Sequence, residues 1–399
     1  MIEELEEGIT VSETIENKAS VFHTKIFSRI TEISRQEWER VYPKTLENYS
    51  FFKTLDESGL NQFEFYYIAI YSGENIAGVA PCFLMRYPLD TTVQGPLKTF
   101  VLALKKLFPH FLEIKVLVCG LPMGQGRIGW ADDPAKILIA VCDTLESFAA
   151  SKGVSLLAFK DFSEQDCQWL SALEAQGYYK FESMPSTEMD VPYRSLEEYL
   201  KTLSHSSRKG LKRKFKKADE EAGLEMEIKD RLAETEFDEV YGLYLQTVKK
   251  HTEMSFEIMS KAFFKILPDN MPGETRYFLW RLGGRVVAFA LCLVSRSRMI
   301  DYYLGFDYSL AYNYSLYFVR FRDLLNWCIQ HGIPKYDMGS TGYEPKRHFG
   351  FEFVRLFAYA KHRNKIINPF FHLLCKLLKP ENFDAVFKSI RNEQTGPHA

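Results

Sequence analysis

Five consecutive segments decide how this chain reads: Met299-Ile-Asp-Tyr-Tyr-Leu304, Gly305-Phe-Asp-Tyr-Ser-Leu-Ala-Tyr-Asn-Tyr314, Ser315 to His331, Lys335-Tyr-Asp-Met338, and Gly339-Ser-Thr-Gly-Tyr-Glu-Pro-Lys-Arg-His-Phe-Gly350. They predict a strand, a loop, a long helix, a second strand and a polar loop. Such a unit brings the backbone N–H groups of a helix start beside a ligand groove. The polar loop adds Lys346, Arg347 and His348. The combination points to an acyl-transfer site rather than to a stretch of core.

Working outward, strands are expected at 224–229, 276–281, 286–294 and 354–360, and helices at 236–251 and 256–267. The first half follows a similar plan. Its strands are expected at 21–30, 63–71, 77–85, 114–119, 155–159 and 178–189, and its helices at 35–41, 51–58, 134–152 and 166–176. Ser72-Gly-Glu-Asn75 and Leu282-Gly-Gly-Arg285 are turn signals between consecutive strands. Each half therefore reads as helices, an antiparallel meander and a strand–helix–strand crossover. That order predicts an α/β fold of the α+β mixed-sheet kind, with helices on the sheet faces. The expected domains are 1–194, a basic linker helix at 195–223, 224–366, and a helical tail at 367–399.

A chain of 399 residues is long enough for about two or three domains. Hydrophobic residues make up 46% and charged residues 26%, enough to bury sizeable cores. A net charge of −2 provides no global basic field for DNA. The seven cysteines are scattered, without a C-x-x-C pair, and read as buried thiols rather than disulfides or a metal site. The acidic start, Met1-Ile-Glu-Glu-Leu-Glu-Glu7, is unlike a signal peptide, and no apolar run approaches membrane-helix length. A cytoplasmic protein is expected, with a peripheral contact at the inner membrane face left open.

The linker carries Arg208, Lys209, Lys212, Arg213, Lys214, Lys216 and Lys217 around a narrow stripe of Leu211, Phe215, Ala218 and Ala222. One reading is a solvated helix whose stripe packs on a domain. The other is a phosphate-binding helix, with Ser204, His205, Ser206 and Ser207 adding donors. Its ligand would be a nucleotide-bearing donor, an anionic lipid precursor or a tRNA acceptor arm.

Leu203 to Ala218 resembles the basic linker of FemAB-like proteins in the GNAT acyltransferase superfamily. Phe237–Thr247, Ser255–Phe264, Gly284–Cys292, Asp301–Gly305 and Gly339–Val354 continue the resemblance. It covers about 195–365 and is weak before residue 190. The subgroups it evokes are peptidoglycan biosynthesis or recognition proteins and BioF-type acyltransferases. It implies two tandem GNAT-like domains and an amide-forming N-acyltransferase. The chain departs from simple GNAT enzymes at Ala311-Tyr-Asn-Tyr-Ser-Leu316. Side chains there replace the glycines that let a loop approach a coenzyme A pyrophosphate.

Amide formation needs a neutral amine, donors for the oxyanion and relief of charge on the leaving group. The resemblance places Lys346 where a family lysine would relieve negative charge, and Tyr343 where GNAT enzymes often carry a proton donor. Glu344 or Asp301 could deprotonate the amine; strand alternation would put Asp301 and Tyr303 on one face. His348 could serve as a base near neutral pH. A solvated loop lysine and a packing histidine are the ordinary alternatives. His205, Arg208, Lys209, Lys212, Arg213, Tyr303, Tyr312, Asn313 and Ser315 are the expected donor- or phosphate-binding residues. The expected donor is an acyl thioester on coenzyme A or acyl carrier protein, favoured over aminoacyl-tRNA because the basic surface is local. No tightly bound cofactor and no metal are expected. The expected acceptor is an amine on a cell-envelope precursor, a lipid or a small metabolite. The competing class is a catalytically inactive GNAT-like protein that binds an envelope glycan or lipid.

Gly124-Gln-Gly126-Arg-Ile-Gly129 spells G-x-G-x-x-G, yet Trp130-Ala-Asp-Asp-Pro134 intervenes before the next helix, against a dinucleotide site. Gly124, Gly126 and Arg127 are read instead as an acceptor groove, or as a loop using glycine to turn. Lys98 to Leu112 and Asn368 to Lys379 are amphipathic and cationic; each would pack on a domain or lie on a membrane surface.

Overall fold

The structure, a computed structural model, describes residues 13–15, 22–88, 113–220, 223–250, 258–376, 379–383 and 386–388. The amphipathic stretch 98–112 lies outside them. The chain divides into two units. The first takes the described residues of 1–56, 60–181 and 357–377; the second takes those of 57–59, 182–356 and 378–399. The mixed-sheet architecture expected from the sequence is present in both.

In the first unit the sheet is built from β1 (Glu13–Ile15), β2 (Phe22–Phe27), β3 (Phe63–Ser72), β4 (Asn75–Pro88), β5 (Glu113–Cys119) and β7 (Leu156–Ser163), in that order, with β6 (Gly129–Trp130) beside β4. The turn signal at 72–75 closes the β3–β4 hairpin, Ser72 facing Asn75. Helices α1 (Arg35–Val41) and α2 (Tyr49–Glu57) precede the hairpin. The parallel step from β5 to β7 is bridged by α3 (Pro134–Ser151). Asp133 caps α3, accepting from Ala135 N at 3.0 Å, and Pro134 supplies a preset first turn. Ile137, Leu138, Val141, Leu145 and Phe148 form its buried face. Burying each such side chain contributes about 1.5–3 kcal/mol. Short helices α4 (Cys167–Leu170) and α5 (Ala172–Ala175) replace the single helix expected at 166–176.

The second unit begins within β8 (Tyr179–Asp190), before the basic helix, because β8 pairs with a strand from the far end of the chain, Asp190 opposite Lys335. Helices α6 (Leu196–Thr202) and α7 (His205–Glu220) follow. Leu211, Phe215 and Ala218 of α7 are buried, so the stripe packs while most of the cations face outward. The sheet order is β8, β13 (Lys335–Asp337), β12 (Met299–Phe306), β11 (Arg285–Val294), β10 (Thr275–Leu282) and β9 (Leu224–Lys229). All neighbours are antiparallel except β12 and β13. Helix α8 (Glu234–Lys250) lies on β12, and α9 (Lys261–Asn270) follows it. Gly305 permits this approach: a Cβ there would meet the Leu243 carbonyl carbon at 2.6 Å. Helices α10 (Tyr308–Ala311) and α11 (Leu316–His331) connect β12 to β13, and α12 (Tyr343–Phe349) forms inside the segment expected to be a polar loop. After α12 come β14 (Glu352–His362), divided between the units at residues 356 and 357, α13 (Asn368–Cys375) of the first unit, and the short α14 (Pro380–Phe383) of the second.

Candidate active site

The β12–β13 ladder consists of Met299 with Tyr336 and Ile300 with Asp337, and stops there. β12 runs on to Phe306, while the chain after Asp337 turns into the loop 338–342. The end of this ladder, beyond which β12 and the chain after Asp337 no longer pair, is the wedge. Its floor carries the residues that matter.

Helix α12 is held between glycines in the left-handed region, Gly342 at φ 63° and Gly350 at φ 81°. Two turns suffice to divide its side chains. Tyr343, Lys346 and Phe349 are buried, while Glu344 and His348 are more than half exposed and pair with each other at 3.2 Å. Lys346 is 3% exposed. Its Nζ donates to the carbonyls of Met338 at 2.6 Å and Gly339 at 3.0 Å, just past the end of the ladder. Burial pushes its ammonium down to about 7. Asp301 and Asp337 pull upward against that burial, and Arg320 adds to the fall. The Tyr343 hydroxyl is sealed and donates to the Pro185 carbonyl at 2.9 Å.

Arg320 and Tyr336, which the sequence reading did not single out, complete the floor. Arg320 Nη1 donates to Asp301 Oδ2, which also accepts from the Tyr336 hydroxyl at 3.1 Å. Both side chains of the ion pair are out of solvent. Asp301 Oδ1 and Arg320 Nε are buried without a hydrogen-bond partner among the described residues. Arg320 had a readable signal: it follows Leu316 and precedes Leu324 and Cys328 on one apolar helical stripe, where a lone cation requires a buried partner. Asp337 Oδ1 accepts from Gly339 N at 2.8 Å and shapes the turn that presents both carbonyls to Lys346.

The expectation that Asp301 and Tyr303 share a face does not hold. Opposite them on β11 stand the consecutive residues Cys292 and Leu291, so Tyr302 is the extra residue of a bulge. Such an insertion reverses the side-chain alternation. Asp301 joins Arg320, whereas the Tyr303 ring packs against Tyr244, Phe263 and Phe264 under α8 and α9.

Tyr312 and Asn313 are exposed in the connection between α10 and α11, and Ser315 caps α11 in the left-handed region at φ 49°. On α7, Lys212 pairs with Glu197 at 3.0 Å; His205, Lys209 and Arg213 are exposed and Arg208 half-buried. Two cations outside the expected set flank the α11 entrance: Lys214 lies 3.2 Å above the Phe318 ring, and Lys250 lies 4.2 Å above Tyr308.

Gly124, Gly126 and Arg127 belong to the first unit, in the loop between β5 and α3. That loop folds onto β7. Gly126 N donates to Asp161 O at 2.9 Å, and Lys160 Nζ donates to Pro122 O at 2.9 Å. A Cβ at residue 126 would lie 2.1 Å from the Lys160 carbonyl oxygen, which explains the glycine without a ligand. Arg127 contacts Gln125 at 3.2 Å.

The FemAB-like family, described as peptidoglycan biosynthesis/recognition, matches residues 108–374. A curated relative, the putative 8-amino-7-oxononanoate synthase 2 of Mycobacterium tuberculosis, is 24% identical over 307 residues. The match takes in 75% of this chain but only 39% of that protein, so the chain spans about two fifths of its length. Among solved structures, FemX aligns with a TM-score of 0.53 at 13% identity, over 86% of this chain and 98% of its own. A tandem GNAT protein from the clavulanic acid biosynthesis pathway aligns with a TM-score of 0.53 at 9% identity, over 86% and 99%. At such identities the likeness is one of fold.

Proposed function

The chain belongs to the FemAB-like family, and from that premise we propose that it is an amide-forming N-acyltransferase whose chemistry takes place over the wedge of the second unit. The observation that carries this reading is the sealed Lys346, with its Nζ on the Met338 and Gly339 carbonyls and its proton affinity lowered to about 7. A neutral Lys346 uses its two N–H bonds on those carbonyls and keeps a lone pair. That is the state required of a general base near neutral pH.

In this account the acceptor amine attacks the acyl carbon and the new N–C bond forms. Lys346 accepts the proton released from the amine nitrogen. The C–S bond of a thioester, or the C–O bond of an aminoacyl ester, breaks, and the proton passes to the departing sulfur or oxygen. Asp301, Arg320 and Tyr336 position the floor beneath Lys346 without touching the substrate. Tyr343 is committed to the Pro185 carbonyl, so its role is to hold α12 rather than to give up a proton. Glu344 and His348 lie on the outward face of α12, where they suit contact with the acceptor. The acceptor is an amine on an envelope precursor, a lipid or a small metabolite.

For the donor, the side-chain-filled connection 307–315 and the cations Lys214 and Lys250 support a phosphate-bearing molecule held without a glycine-rich loop. An acyl thioester fits that chemistry, and aminoacyl-tRNA is the competing donor. The test incubates the full chain with amine acceptors and a panel of acyl thioesters and charged tRNAs, followed by mass spectrometry of the acceptor. A mass gain with one donor class supports the reading. No gain with any donor, together with thermal stabilisation by an envelope glycan or lipid, would establish the inactive binding protein instead.

A further inference from the structure

Helix α13 of the first unit is fixed on one side and, among the described residues, exposed on the other. Asn368 Nδ2 donates to the Gly177 carbonyl at 2.8 Å, and its Oδ1 accepts from His362 N at 2.8 Å. One turn later His372 Nε2 lies 3.1 Å from the same Gly177 carbonyl, and its ring lies 5.3 Å from that of Tyr179. Cys375 is fully buried. These contacts set the rotation of the helix. They leave Ile366, Phe370 and Leu373, at the spacing of one helical face, exposed to 78%, 70% and 62%, with Ile367 beside them at 45%. A rigidly held apolar patch of this kind is uncommon on a folded domain unless something covers it.

The charge around the patch selects the partner. Residues 361–380 contain Lys361, Arg363, Lys365, Lys376 and Lys379, and neither aspartate nor glutamate. Lys361 and Arg363 are engaged with Glu146. Lys365 and Lys376 are exposed at either end of the apolar face. A short helix with large apolar side chains outward and only cations at its margins has the design of an interfacial anchor. Its electrostatic complement is an anionic headgroup layer. The sequence 91–112, which contains Lys98, Lys105 and Lys106 among apolar residues and no acid, has the same composition.

We propose that residues 365–376 seat the first unit on an anionic lipid bilayer. Ile366, Phe370 and Leu373 enter the boundary between headgroups and acyl chains, and Lys365 and Lys376 lie at the lipid phosphates. This inference does not depend on the acyltransferase reading, since it requires no turnover.

The test sediments the full chain with vesicles of phosphatidylglycerol and phosphatidylcholine, and with phosphatidylcholine alone. Wild type is expected to pellet with the anionic vesicles at low salt. Partitioning should fall roughly tenfold or more in the Ile366→Ser, Phe370→Ser, Leu373→Ser triple variant, as expected when an inserted apolar face is removed. The triple variant should keep the wild-type melting temperature, because all three side chains are exposed. As a second readout, Phe370→Trp should be quenched by brominated lipid. Failure of wild type to pellet, pelleting of the triple variant equal to wild type, or absence of quenching would each overturn the proposal. So would light scattering that shows a wild-type dimer abolished in the triple variant, since a second copy would then be the occupant.

Discussion

Arg320 reaches Asp301 across the end of the β12–β13 ladder, and both side chains are sealed from water. Their pairing turns the middle of an otherwise apolar helix into the electrostatic floor of the wedge. Two opposite charges so deeply buried stand or fall together. Removing one leaves the other without its ion-pair partner in a low-dielectric environment.

Asp301→Asn or Arg320→Met alone should therefore lower stability by about 3–5 kcal/mol, the usual penalty for an orphaned buried charge. The double variant Asp301→Asn, Arg320→Met should recover most of the loss. Urea unfolding of the three proteins checks this. Additive losses in the double variant would show that the two residues act independently.

Lys346 makes stability depend on pH in a specific sense. Its pKa is about 7 in the folded protein, below the value of about 10.4 for an unfolded lysine. Between those values the unfolded chain binds the extra proton, so stability rises with pH. The slope approaches about 1.4 kcal/mol per pH unit within the window. The contribution is fully present above the unfolded pKa and is lost as pH falls towards 7. Lys346→Met should remove that slope and be the more stable protein at pH 6. Chemical denaturation of both proteins at pH 6, 8 and 9.5 provides the comparison.

Tyr343→Phe separates a structural tyrosine from a catalytic one. Loss of the hydrogen bond to Pro185 should cost about 1 kcal/mol, with the acyl-transfer rate unchanged. A large fall in kcat with little change in stability would instead restore Tyr343 as the proton donor.

Much of this architecture could be read in the sequence because its signals are local. The turns at 72–75 and 282–285, the apolar strands and the α11 periodicity depend on neighbours along the chain. So does the stripe of α7. The site was less legible because it rests on events that local pattern does not encode. A bulge at Tyr302 separates Asp301 from Tyr303. Helix α12 forms between glycines where polar residues suggested a loop, and its two turns divide Lys346 from Glu344 and His348. The assignment of β8 to the second unit depends on pairing with residues 335–337, far along the chain. Arg320 was the missed clue, a cation on an apolar stripe.

The first-unit loop supplies a separate check. Gly126→Ala should destabilise that unit by at least about 2 kcal/mol, because the new methyl meets the Lys160 backbone rather than a movable side chain. Acyl transfer, measured under conditions where the variant is folded, should persist. Its selective loss in a fully stable variant would assign the loop to the acceptor site.

The most direct measurement is the pH–rate profile of single-turnover acyl transfer for wild type and Lys346→Met, followed by mass spectrometry of the acceptor. The wild-type rate should rise with pH and level off above about 7. The variant, folded and at least as stable at pH 6, should be slower by roughly 10²-fold or more and lack that rise. A Lys346→Met protein that transfers acyl groups at the wild-type rate, with the same pH dependence, would contradict the assignment of the chemistry to Lys346.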